Sequence, residues 1–137
     1  MKVFKTASKK LAGSNYGEVR RKAFSLYTQI KKRSKRRVYL RSAYFHKDKI
    51  FLSLFWHHLN DKHHKERLVR LKYFPCAIEL IRNSRFAPKS IENVDKKSEM
   101  LHRFAGITSE NELFYVQIKE NKRTSQKYLI SIFPHGK

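Results

Sequence analysis

The stretch His102–Pro134 holds the side chains whose types suit phosphodiester chemistry: His102, Arg103, Lys119, Lys127 and Ser131, with Glu120 and Tyr128 among them. Metal-free RNA cleavage uses the substrate's own 2′-hydroxyl as nucleophile. The protein must place a base beside that hydroxyl, a cation on the phosphoryl oxygens and an acid at the leaving 5′-oxygen. Histidine suits the base or acid role because its charge changes near neutral pH, so His102 takes that place. Its plainer reading is a surface histidine at a strand start. Lys119 and Lys127 flank one hairpin and neutralise phosphate, or stand as ordinary exposed lysines. Ser131, between Ile130 and Ile132, binds phosphate or fills a tight spot. Arg103 directly follows His102, so an ideal strand sends the two to opposite faces unless a bulge or bend intervenes.

Three runs carry these residues: HRFAGI, ELFYVQIKE and KYLISIFP, separated by polar turns. They read as an antiparallel β-meander whose neighbouring strands lie about 4.8 Å apart, close enough for alternate residues to converge on one phosphodiester. In the middle run Phe114, Val116 and Ile118 point one way, and Tyr115, Gln117 and Lys119 the other. The last run alternates Tyr128, Ile130 and Ile132 against Lys127, Leu129, Ser131 and Phe133. One face packs on helices, and the other stays wet and holds nucleic acid through Tyr115, Gln117 and Phe133. An aromatic in a strand is also, more simply, packing.

Other chemistries lack their residues. HHLNDKHH gathers His57, His58, His63 and His64, but HExxH is absent and no second cysteine joins Cys76. We read these histidines as helix and turn residues facing phosphate or water, and expect neither a metal site nor a cofactor. There is no Walker loop, GxGxxG or kinase signature. The scattered carboxylates do not form a two-metal centre. Cys76 lies on an apolar stretch as a small core residue, and a lone cysteine forms no internal disulfide.

Charge indicates the partner. The 137 residues carry 32 Lys and Arg against 11 Asp and Glu, a formal +21. Self-repulsion of that size opposes folding, and a polyanion, most commonly nucleic acid, relieves it. RNA is the expected partner. The run KKRSKRR supplies Lys31, Lys32, Arg33, Lys35, Arg36 and Arg37 as phosphate contacts, or forms a solvated basic turn. No stretch approaches the roughly 18 apolar residues of a spanning helix, and MKVFKTASKK has no apolar middle. No membrane partner and a cytoplasmic location are the expectation.

In chain order, residues 1–16 are expected as a basic flexible arm and 17–137 as one α+β domain. A first helix starts near Asn15–Gly17, with Val19, Ala23, Leu26, Tyr27 and Ile30 at helical spacing. VYLRSAYF reads as a strand, and IFLSLFWHHLND as a helix. DKHHKERLVRLKYF reads as another helix capped by Asp61, and Pro75 opens or kinks the next segment. NSRFAPKS and IENVDKKSE are a loop and a connector. Helices first and sheet last give an α+β fold, N-terminal helices packed on a C-terminal antiparallel β-meander.

The pattern HRFAGIT…ENELFYVQIKE…KYLISIFP, preceded by helices, resembles the barnase–EndoU–colicin–RelE superfamily of RNases, in its phage-associated and toxin branch. The resemblance covers mainly residues 98–134. It implies a metal-independent endoribonuclease, the toxin of a toxin–antitoxin pair, with an acidic antitoxin as partner. It assigns catalysis to His102 or Arg103 on the first strand, Lys119 on the next, and Lys127 with Ser131 on the last. The residues themselves equally fit a non-catalytic basic RNA- or DNA-binding module.

Overall fold

A computed structural model describes residues 2–136. Helix α1 (Tyr16–Lys32) begins where the sequence signals it: Asn15 is the N-cap, and its Oδ1 accepts the Glu18 amide at 3.2 Å. Val19, Ala23 and Ile30 form its buried stripe, while Lys31 and Lys32 complement the negative end of the helix dipole. Strands β2 (Tyr39–Arg41) and β3 (Lys49–Phe51) follow as an antiparallel pair. Between them His46 and Lys47 take left-handed backbone angles, φ 55° and 70°. Helices α2 (Ser53–Asn60), α3 (His64–Lys72) and α4 (Phe74–Asn83) come next. The expected single helix over IFLSLFWHHLND is therefore a strand that turns into a helix at Leu52. Asp61 ends α2 rather than starting α3, whose N-cap is His63. Pro75 opens α4, where its missing amide leaves no helical bond unmade.

The three C-terminal strands, β5 (Glu99–Ile107), β6 (Leu113–Asn121) and β7 (Lys127–Pro134), form the antiparallel meander. The sheet is nevertheless mixed. β3 runs parallel to β7, and β1 (Val3–Lys5) runs parallel to one half of β5. β4 (Lys89–Glu92) pairs antiparallel with the other half. The main strand order is β1-β5-β6-β7-β3-β2. Two expectations change accordingly. Part of the connector IENVDKKSE belongs to β4, and the N-terminal arm is tied down. Its β1 is hydrogen-bonded to β5, and Glu79 accepts the amides of Ala7 and Ser8 at 2.7 and 3.0 Å.

α4 lies at the centre, with Phe74, Cys76, Ala77, Ile78, Leu80 and Ile81 all buried. It packs against both β2 and β5, at opposite sides of the sheet, so the strands curl around it. Gly106 permits the closest approach. A Cβ there would lie 2.5 Å from the Phe114 ring and 2.8 Å from Leu80. Phe45, from the turn after β2, reaches β5 and packs on Phe104 and His102, their ring centres 5.9 and 5.0 Å away.

A β-bulge decides the faces of β7. Gln117 pairs with Ser131 and Ile118 with Leu129, leaving Ile130 as the extra residue. Strict alternation would place Ile132 opposite Leu129. The bulge turns both inward, with Lys127, and leaves Tyr128, Ser131 and Phe133 on the outer face.

Candidate nucleic-acid interface

Pairing register aligns the outer side chains in rows. One row crosses Leu101, Lys119, Tyr128, Phe51 and Tyr39, from β5 to β2. At about 4.8 Å per strand it spans roughly 19 Å. The next row holds Lys89, Arg103, Gln117 and Ser131, and a third brings Tyr115 beside Phe133. Two aromatic groups result. Tyr115 and Phe133 lie 5.4 Å apart, and the Tyr115 hydroxyl is 2.7 Å from Nδ1 of the exposed His135. Across the face, Phe51 lies 5.8 Å from Tyr128 and 6.5 Å from Tyr39.

Cations interleave with these rings. The Arg103 guanidinium lies 5.1 Å from the Phe133 ring centre and 5.7 Å from that of Tyr115. It also donates to Gln117 Oε1 at 3.2 Å. Arg70 reaches over from α3, donates to Ser131 Oγ at 2.8 Å and lies 5.5 Å from Phe133. Arg37 stands 4.1 Å above Phe51, and Lys49 is 4.7 Å from Tyr39. Such contacts stiffen an arginine while leaving much of its charge and hydrogen-bonding edge available to an anion.

The ion pairs sharpen this picture. Among the described residues, six lysines and one histidine pair with a carboxylate, and no arginine does. Six of the eleven acids pair with lysines, as with Lys119, held 3.4 Å from Glu99. Burial works to raise the Glu99 pKa. The Asn93 amide and the charges of Lys119 and Lys96 outweigh it and hold the carboxyl below its ordinary value. Lys119 thus enters the face partly neutralised, whereas Arg37, Arg70 and Arg103 do not.

The five residues expected to act together are divided between the two sides of the sheet. Arg103, Lys119 and Ser131 lie outside. His102 and Lys127 lie on the covered side, 7% and 4% exposed. His102 Nδ1 is 2.6 Å from the Ser90 hydroxyl, and its Nε2 is 2.7 Å from Glu120 Oε1. Lys127 donates to Asp48 Oδ2 at 2.8 Å and stands 3.7 Å from Glu120 Oε2. With both ring nitrogens occupied and Phe45 against its ring, His102 fastens β4, β5 and β6 together and does not reach the outer face. The physical reason is period-two alternation at His102–Arg103, together with the bulge that sends Lys127 inward and Ser131 outward.

Tyr115, Gln117 and Phe133 all lie on the outer face as expected. The basic run divides. Arg37 joins that face, Arg33 turns toward Arg82 of α4, and Lys31, Lys32, Lys35 and Arg36 stay exposed around the end of α1. Sequence reasoning missed Arg70, Phe51, Tyr39 and His135. Alternation within YLR and KIF offered a faint signal for the two rings. Nothing local places Arg70 beside Ser131.

The histidines of α2 and α3 gather no metal-binding group, and among the described residues no cluster of three or more His, Cys, Asp or Glu side chains is suited to a metal ion. Burial pushes the Cys76 thiol up to about 11, consistent with a core residue. Among the described residues no helix is long and apolar enough to cross a membrane. Fold and face together describe a basic mixed α+β protein with an arginine- and aromatic-rich sheet surface. No family model, curated protein or solved structure matches the chain.

Proposed function

We propose that this protein binds single-stranded RNA on the outer face of its sheet. The observation that carries the reading is a single surface on which Tyr39, Phe51, Tyr115, Tyr128 and Phe133 alternate with arginines that pair with no carboxylate among the described residues. Every base has a π-face, so such rings accept successive bases with little regard to sequence, each worth about 1–3 kcal/mol. Arg37, Arg70 and Arg103 hold the phosphates between them. Gln117 and Ser131 lie in the middle of the face, where they hydrogen-bond a 2′-hydroxyl or a base edge. Fluorescence anisotropy with a labelled single strand tests this. Log K should fall linearly with log salt, with a slope near −0.7 per phosphate contacted. Equal or tighter binding to duplex RNA would count against a stacking face.

Cleavage is a second reading, favoured by one contact. His135, bonded to the Tyr115 hydroxyl beside Arg103, supplies the outer face with the imidazole that His102 does not. In this reading His135 takes the 2′-hydroxyl proton as the 2′-oxygen bonds to phosphorus, Arg103 stabilises the phosphoryl oxygens, and the bond from phosphorus to the 5′-oxygen breaks as a water molecule protonates the leaving oxygen. The endoribonuclease and toxin roles implied by the superfamily resemblance belong here, with an acidic antitoxin covering the same arginines. Total RNA incubated with the protein in EDTA should give 2′,3′-cyclic phosphate ends, and His135→Ala should stop it while His102→Ala does not. Intact RNA leaves the protein a binder alone.

A further inference from the structure

A second cationic concavity lies beyond the β2 edge of the sheet, away from the aromatic rows. It is a depression of about 660 Å³ whose wall includes Arg41, His46, Lys47, Arg82 and Arg85. These residues come from three segments held together by backbone bonds. The Ala43 amide donates to Ile81 O at 3.1 Å, fixing the 42–48 turn against the end of α4. Arg41 Nη1 donates to Lys47 O at 3.0 Å, which steadies its guanidinium at the rim. Arg33 approaches Arg82 from the neighbouring depression.

The ordinary explanation for cations at a helix end is the dipole. The C-terminus of α4 offers only about half a negative charge. Arg41, Lys47, Arg82 and Arg85 bring four formal positive charges, and none of them forms an ion pair among the described residues. Two carboxylates on the same segments, Asp48 and Glu79, are committed elsewhere. Asp48 holds Lys127 at 2.8 Å, and Glu79 accepts the Ala7 and Ser8 amides. Partial burial, and after it the like charge of Arg33, pushes the Arg82 guanidinium below its ordinary value. An anion of high charge density complements such a cluster of cations.

We infer that this concavity binds a terminal phosphate monoester. A monoester presents three free oxygens to donors arriving from several sides, whereas an internal diester presents two and suits a linear track. Arg41 links the two sites, since its guanidinium also lies 5.4 Å from the Tyr39 ring at the end of the longest outer row. A strand lying along the face therefore ends with its phosphate in this depression. That connection rests on the RNA-binding reading, although the depression itself does not.

The test compares one short single strand in three forms: 5′-phosphorylated, 3′-phosphorylated and unphosphorylated. One phosphorylated form should bind about tenfold more tightly than the bare strand. Arg82→Gln with Arg85→Gln should erase that gain and leave bare-strand affinity unchanged. Lys47→Gln with Arg85→Gln, both at exposed positions, guards against a folding defect. A parallel calorimetric titration uses adenosine monophosphate alone. Binding that the same variants abolish supports the pocket even if no strand binds, and identifies a free nucleotide as the source of the phosphate. The inference is overturned if end phosphates change nothing and the mononucleotide does not bind. It is equally overturned if the gain survives both double variants.

Discussion

At the scale of single residues, His102 and Arg103 show how adjacency in sequence separates function in space. His102 is a clasp: losing its ring removes a bond from the half-buried Glu120, releases Ser90 and opens a gap beside Phe45. We expect His102→Ala to cost about 1–3 kcal/mol in urea unfolding, while the folded fraction still binds RNA with wild-type affinity. Arg103→Ala should behave in the opposite way, with the unfolding midpoint unchanged and the salt slope of binding smaller by about 0.7. Loss of binding in a properly folded His102→Ala protein would contradict this division. The pair also illustrates what could be read in advance. Alternation already set the two side chains on opposite faces, but which face was covered depended on Phe45, which packs on the His102 ring from a segment far away in sequence.

Among the elements, α4 and the N-terminal segment depend on close fits. Gly106→Ala forces a methyl against Phe114 and Leu80 and should destabilise the protein by about 1–3 kcal/mol, visible as a lower unfolding midpoint with an unchanged m-value. Glu79 clamps residues 7–8. Burial works to raise its pKa, but the Ser8 hydroxyl and the Ala7 and Ser8 amides prevail and hold it below 4.5, its ordinary value. In the unfolded chain the carboxyl protonates first as pH falls. The stabilisation is therefore complete above about 4.5 and disappears as pH drops through the lower folded value. Urea midpoints should decline over that range in the wild type, and Glu79→Gln should flatten part of the decline. A parallel profile in the two proteins would show that the clamp contributes nothing. Elements differed greatly in how far the sequence revealed them. α1 announced itself with Asn15 and an apolar stripe, and β5–β7 with long runs. β2 is the Tyr39–Arg41 part of the strand expected over VYLRSAYF, whereas β1, β3 and β4, at three or four residues each, show at most a faint period and form where a neighbouring strand pairs with them.

For the molecule as a whole, charge is the dominant unpaired quantity. A formal +21 spread over 137 residues repels itself, and among the described residues the acids that form ion pairs take lysines and His102 and leave the arginines open. The melting temperature of the free protein should therefore rise from low to physiological salt, as the Debye length shortens to about 8 Å. It should rise further with single-stranded RNA, by linkage. A melting temperature indifferent to both would mean that neither repulsion nor the proposed partner acts on the fold. Net charge, the capped first helix, three long strands and the faces of β6 were determined by the sequence alone, since each is a sum or a local period. Only the folded chain decided that Ile130 bulges, that Phe51 and Tyr39 extend one row, and that Arg70 meets Ser131. Those facts depend on register and on contacts between residues far apart along the chain, about which no local pattern carries information.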